Sequence, residues 1–211
     1  MVLMLEIKNK KISVGIINLE FHNLFSIYHA IKSLGYNVKV YDLKQNKYNS
    51  DILILPGVGS FHHAMKIIKK NNVDEKIKEF VDKKRLLFGI CLGMQLLFEK
   101  SSEFGLTKGM GLVKGSVESF SKKKFRVPHI GWEKIKKIQD INYLNDNDFY
   151  YFVHSYFCKP KNKNSILSYT NYQGFDYCSS IYTNNIFATQ FHPEKSGKAG
   201  LKILNNMKRL I

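Results

Sequence analysis

Short apolar runs alternate with amphipathic stretches through the first half of the chain, and this alternation sets the fold class. Residues 12–17 form an apolar run that reads as a buried strand. From about Asn23 to Leu34, the residues Leu24, Ile27, Tyr28, Ile31 and Leu34 recur at helical spacing, and Gly35 follows as a stop. Val38–Tyr41 predicts a second strand, and Asp51–Leu55 a third that ends at Pro56-Gly57. Amphipathic stretches near 62–70 and 74–84 predict two helices. Leu86–Ile90 is a fourth strand, and a helix from Leu92 to Lys100 is expected after it. Segment 42–50 is polar and is expected to be only a surface connection. Continuous apolar strands separated by amphipathic helices predict a parallel sheet covered on both faces.

The second half changes character. Leu112–Phe120, Tyr150–Val153, Ile166–Thr170, Tyr177–Tyr182 and Ile186–Gln190 are short β-rich runs, punctuated by Asn162, Asn171, Gly174 and Asn184. A closing helix is expected from about Gly197 to Leu210. The fold class is therefore α/β: a mostly parallel central sheet flanked by helices, with an added mixed or antiparallel β section. No repeat, linker or low-complexity stretch divides residues 1–211, and a single domain is expected.

Composition narrows the setting. The three cysteines, Cys91, Cys158 and Cys178, form no C-x-x-C pair, so neither a disulfide framework nor a zinc site is suggested, and a cytoplasmic protein is expected. No apolar run reaches the ~20 residues that span a bilayer. The formal charge of +16 comes from dispersed lysines without a nucleic-acid-binding signature. It reads as a solvated surface, equally open to an acidic protein partner or anionic metabolites.

Candidate chemistry centres on Cys91. Gly89-Ile90-Cys91-Leu92-Gly93 follows a strand and precedes a helix, the G-x-S-x-G nucleophile-elbow pattern with sulfur for oxygen. Such a turn projects the sulfur outward, at a helix start that favours a thiolate. His192 follows the run Ile186–Phe191, with Glu194 two residues on. Loops beyond the ends of parallel strands line one crevice, so Cys91, His192 and the Pro56-Gly57-Val58-Gly59 turn can converge there. Acyl transfer needs a nucleophile, a base and an orienter for the base, and Cys91, His192 and Glu194 supply them. The backbone N–H of Leu92, with another from the Gly57-Val58-Gly59 turn, can serve the oxyanion. Cys158 and Cys178 read as core thiols, and His29, His62, His63 and His129 as surface or structural. Gly57-x-Gly59 is no dinucleotide fingerprint, because His62 stands where its third glycine would fall.

At these residues the sequence resembles the class I (triad) glutamine amidotransferases and, within them, the glutaminase subunits of imidazole glycerol phosphate synthases. The matching stretches are 55–59, 89–99, Val127-Pro128-His129-Ile130-Gly131-Trp132, 151–156 and Gln190-Phe191-His192-Pro193-Glu194-Lys195-Ser196-Gly197, in family order across nearly the whole chain. The resemblance implies hydrolysis of glutamine through a thioester on Cys91, without a cofactor or metal. Ammonia would pass to a (β/α)8-barrel cyclase subunit in a heterodimer, for histidine biosynthesis. It further implies that Gln95, Glu103, His154, Ser155 and Tyr156 hold glutamine, and that Val58 and Gly59 complete the oxyanion site. Asn23, Ile130, Trp132 and Lys195 would face the partner, although Trp132 could equally be an ordinary core aromatic.

Two departures stand out. The family carries Asp-Tyr-Gly-x-Gly-Asn after its first strand, where this chain has Asn18-Leu19-Glu20-Phe21-His22-Asn23. Glu133 replaces the family's Asn after Trp132. The altered loop keeps open a paralogue that supplies ammonia to a surface-sugar amidation system. A stand-alone cysteine hydrolase and a binding module with a relic triad are further readings of the same residues.

Overall fold

The computed structural model describes residues 11–20, 24–139, 141 and 144–211. The expected parallel core is present. Strands β1 (Ser13–Ile17), β2 (Asn37–Tyr41), β3 (Ile52–Leu55) and β4 (Leu86–Ile90) are joined by β14 (Ile186–Thr189) in the parallel order β2-β1-β3-β4-β14. Every residue of β3 and β4 is buried, which is why both read as unbroken apolar runs.

Alternate residues of these strands feed two cores. Leu53, Leu55 and Leu87 pack with helices α2 (Phe61–Lys70) and α3 (Val73–Asp82) through Phe61, Met65, Ile68, Ile77 and Phe80. Ile52, Ile54 and Phe88 pack with α1 (Leu24–Ser33) and α5 (Gly197–Asn206) through Ile27, Ile31, Ile203 and Leu204. At roughly 1.5–3 kcal/mol per buried aliphatic or aromatic side chain, these two layers fix the sheet between its helices.

Beyond β14 the sheet turns mixed. It continues antiparallel through β13 (Phe175–Thr183), β11 (Tyr156–Pro160) and β7 (Val113–Ser119), then parallel to β5 (Phe98–Ser101) and antiparallel to β6 (Thr107–Lys108). β12 (Ile166–Tyr172) pairs with β13 and with the short β9 (Lys136–Lys137). A separate ribbon pairs β8 (His129–Lys134) with β10 (Phe149–His154) over six positions.

Two expectations need correction. The helix after Cys91, α4, covers only Leu92–Leu96, and residues 98–101 form β5 instead. The returning segment 109–113 takes the carbonyls a longer helix would use: Met110 N–H donates to Leu96 O, Val113 N–H to Leu97 O, and Gly111 N–H to Phe98 O. Tertiary pairing overrides local propensity there. Segment 42–50 is also more than a surface connection, because Leu43 and Tyr48 are buried in the core beside Tyr41.

Candidate active site

Sheet register brings the predicted triad together. Ile90, the last residue of β4, pairs with Thr189, the last of β14. Cys91 N–H donates to Thr189 O at 2.8 Å, so Cys91 and His192 leave adjacent parallel strands at the same end. The expected sharp turn is present: Cys91 has φ 54° and ψ −110°, a region a non-glycine residue occupies only when its surroundings enforce it.

Gly93 shows what enforces it. A Cβ there would lie 1.8 Å from Leu55 O, so only glycine lets the start of α4 sit against the end of β3. The same contact carries the 56–59 turn up to the nucleophile, and a Cβ at Gly57 would lie 2.8 Å from Leu92 Cβ.

His192 is fixed through both its backbone and its ring. Its N–H donates to Tyr151 O at 2.9 Å, and its carbonyl accepts from Ser196 Oγ at 2.6 Å. The ring Nδ1 lies 2.7 Å from Glu194 Oε1, with both side chains about 1% exposed. Burial alone would favour the neutral ring. The Cys91 sulfur and the Glu194 carboxylate outweigh it and raise the His192 pKa from 6.5 to about 10. The geometry therefore stabilises an imidazolium beside the sulfur.

A cavity of about 270 Å³ opens over these groups, lined by Val58, Gly59, Cys91, Leu92, Gln95, Glu103, Pro128, Val153, His154, Ser155, Tyr156 and His192. That is slightly below the roughly 300–1,000 Å³ of typical ligand pockets and suits a ligand the size of an amino acid. Every residue expected at the oxyanion and glutamine positions lines it. Glu103 accepts the Phe61 N–H at the start of α2, and burial raises its carboxyl pKa against that bond. The His154 ring is bonded to protein at both nitrogens, to Tyr156 O at 2.7 Å and to Tyr177 Oη at 3.2 Å. Segment 154–156 is thus left to meet a ligand through its backbone and through Ser155 and Tyr156. A larger cavity, about 570 Å³ between Phe157, Phe175 and Tyr177, contains no triad residue.

Of the expected partner-facing residues, Ile130, Trp132 and Lys195 share one surface. Along β8 and β10, Ile130, Trp132, Phe149 and Tyr151 point outward, and Ile130, Trp132 and Phe149 are 61%, 49% and 51% exposed. Lys195 lies over the Tyr151 ring at 5.9 Å. Trp132 is therefore not a core aromatic. Asn23 lies outside the described residues. Cys158 and Cys178 are buried core thiols, and His129 is buried inside the fold.

Sequence reasoning missed Gln190. Its side chain is fully buried, and its Nε2 lies 3.7 Å from the Cys91 sulfur. The available signal was a lone amide at the end of an apolar run that leads to His192. Among the described residues no group of three or more His, Cys, Asp or Glu could hold a metal, and no helix is long and apolar enough to cross a membrane.

Known proteins share this chain's sequence and fold over most of its length. The chain is 41% identical over 187 residues, 87% of its length and 93% of the relative's, to the imidazole glycerol phosphate synthase subunit HisH of Chlorobaculum tepidum. It is 42% identical over 191 residues, 89% of its length and 91% of the relative's, to the protein of that name from Aquifex aeolicus. Among solved structures, PurLQS from Thermotoga maritima superposes with a TM-score of 0.76 at 18% identity, covering 95% of this chain and 99% of that one, and shows the fold. Residues 16–209 match the glutamine amidotransferase class-I description. That match runs from the first strand through the elbow to the last helix, and it places the chain in the class-I glutamine amidotransferase family.

Proposed function

We propose that the chain is the glutaminase subunit of an imidazole glycerol phosphate synthase, delivering ammonia to a cyclase partner in histidine biosynthesis. The carrying observation is the sealed Cys91–His192–Glu194 set at the head of an amino-acid-sized cavity. The HisH name shared by relatives about 40% identical supports the pathway and gives no support to the surface-sugar alternative.

The chemistry follows from the groups present. The Cys91 sulfur attacks the side-chain carbonyl of glutamine. The developing oxyanion meets N–H donors from Leu92 and from the Val58-Gly59 turn. His192 gives its proton to the departing nitrogen, and ammonia leaves a thioester on Cys91. Water, deprotonated by the now neutral His192, attacks the thioester and releases glutamate, restoring thiolate and imidazolium. Glu194 holds the ring in register through both half-reactions.

The outward face of β8 and β10, with Lys195 at its edge, fits a partner subunit, and the family resemblance makes that partner a (β/α)8 barrel. The Cys91→Ser variant tests the assignment. With the cyclase added, glutamine-dependent turnover should fall to background while turnover on ammonium salt stays at the wild-type level. Full activity with glutamine would refute the nucleophile. A stand-alone hydrolase would instead turn over glutamine at full rate without any partner.

A further inference from the structure

One chain of polar groups runs from the partly exposed Glu133 through buried side chains and the Tyr156 carbonyl to the nucleophile. Glu133 Oε1 lies 3.9 Å from His129 Nε2, and His129 Nδ1 lies 3.2 Å from Tyr177 Oη. Tyr177 Oη lies 3.2 Å from His154 Nε2, and His154 Nδ1 lies 2.7 Å from Tyr156 O. The same carbonyl accepts Gln95 Nε2 at 3.0 Å. Gln95 Nε2 also donates to Gln190 Oε1 at 3.1 Å, and Gln190 Nε2 lies 3.7 Å from Cys91 Sγ.

The Tyr156 carbonyl can only accept, and that fixes the direction of every other link. Gln95 must turn its Nε2 toward Tyr156, so both amide hydrogens go to protein and Oε1 is left for a ligand. Gln190 must then offer Oε1 to Gln95, which aims its Nε2 hydrogens at the sulfur. On the other side, His154 must carry its hydrogen on Nδ1, so its Nε2 accepts from the Tyr177 hydroxyl. The Tyr177 oxygen in turn accepts from His129 Nδ1–H. His129 Nε2 is left buried without a hydrogen-bond partner, facing Glu133. Gly131, between them on the same strand face, leaves open space that lets Glu133 reach back.

We propose that Gln190, Tyr177 and His129 are positioning residues for glutamine hydrolysis: Gln190 holds an N–H on the Cys91 sulfur, and Tyr177 with His129 locks the Tyr156 carbonyl that keeps Gln95 Oε1 turned to an N–H of glutamine. The substrate half rests on the glutaminase reading, and the sulfur half does not. None of the three residues touches substrate. Gln190 acts on the nucleophile, and Tyr177 and His129 act through His154 and Gln95.

Alkylation of Cys91 by iodoacetamide in the isolated chain, followed by mass spectrometry of the Cys91 peptide, tests both halves. The rate without glutamine reports the sulfur, and the glutamine concentration that halves the rate reports substrate binding. Gln190→Glu keeps an acceptor for Gln95 but removes the donor to the sulfur. It should slow alkylation about 10-fold or more with glutamine protection little changed. Gln190→Met removes both functions and should impair both readouts. Tyr177→Phe removes one hydroxyl and should leave the alkylation rate within about twofold while raising the protecting glutamine concentration about fivefold or more. His129→Asn, which cannot span the same distance, should follow Tyr177→Phe and serves if that variant is unstable. A purely structural role would move both readouts together with the unfolding midpoint. Alkylation of both Gln190 variants at the wild-type rate, or unchanged protection in Tyr177→Phe and His129→Asn, would overturn the proposal. Failure of 6-diazo-5-oxo-norleucine to label wild-type Cys91 would instead sink the glutaminase reading, while the alkylation comparison would still decide the role of Gln190.

Discussion

Replacing Gly93 with alanine should separate the sheet spacing from the chemistry it supports. The new methyl carbon would start 1.8 Å from Leu55 O and 2.8 Å from Leu55 C, both backbone atoms that no rotamer can move aside. An ordinary contact begins near 3.4 Å, so the start of α4 and the end of β3 must part by about 1.6 Å. Overpacking of this kind costs about 1–3 kcal/mol. For a chain of this length that lowers Tm by roughly 2–12 °C. The effect on catalysis should be larger in proportion. The displaced segment carries Val58 and Gly59 on one side and Cys91 on the other, and a misplacement of about 1 Å can lower a rate about 100-fold. In the assembled enzyme, glutamate release coupled to glutamate dehydrogenase should show kcat/KM reduced about 100-fold or more, with ammonium-dependent turnover unchanged. Gly131→Ala is the matched control, because its Cβ meets nothing within 4 Å, and it should change stability by less than about 0.5 kcal/mol. If Gly93→Ala kept its glutamine activity within threefold and its Tm within 1 °C, the close-approach argument would be wrong.

Three further outcomes follow from the site and its surroundings. Burial depresses His129 to about 4 and His154 to about 3, from 6.5, so the unfolded chain takes up protons that the fold refuses. Their stability contribution is present above pH 6.5 and is lost as pH falls toward those values. With His129 discounted for the partly exposed Glu133 beside it, the loss is about 3 kcal/mol by pH 5. His192 does not offset it, since a raised pKa contributes fully below 6.5 and declines only as pH climbs toward 10. Urea unfolding at pH 7.5 and 5 should show the drop, and the His129→Gln/His154→Gln double variant should flatten it. Glu194→Gln removes a charge that holds the imidazolium, so the NMR titration midpoint of His192 Cε1–H should fall by about one unit or more, with kcat lowered at least ~10-fold. An unmoved midpoint would contradict the assigned cause. Trp132→Ala should leave the isolated chain within about 0.5 kcal/mol of wild type but weaken cyclase binding by about 30-fold, measured by titration calorimetry.

The parallel core was legible because fully buried strands leave short apolar runs, and Leu86–Ile90 and Ile186–Ala188 are such runs. The triad was legible for the same reason, since Cys91 and His192 sit just past two of these strands. β8 and β11 were not legible. His129–Lys134 mixes glycine, tryptophan and charge on a ribbon with one outward face, and Tyr156–Pro160 closes on a lysine and a proline. The early end of α4 depends on Gly109–Val113 folding back onto it, a contact that no local window contains. Gln190 escaped notice because its role exists only once Tyr156, on a different strand, fixes the orientation of Gln95.

The outward face of the β8–β10 ribbon also governs how the chain behaves as a colloid. Ile130, Trp132 and Phe149 stand in water on adjacent strands, in an arrangement that isolated proteins seldom tolerate. The surrounding lysines give like-charge repulsion that keeps copies apart in dilute salt, but that repulsion weakens as ionic strength rises. Produced without a companion, the chain should remain dispersed at low salt and clump as salt is added, whereas co-production with the cyclase should abolish that dependence.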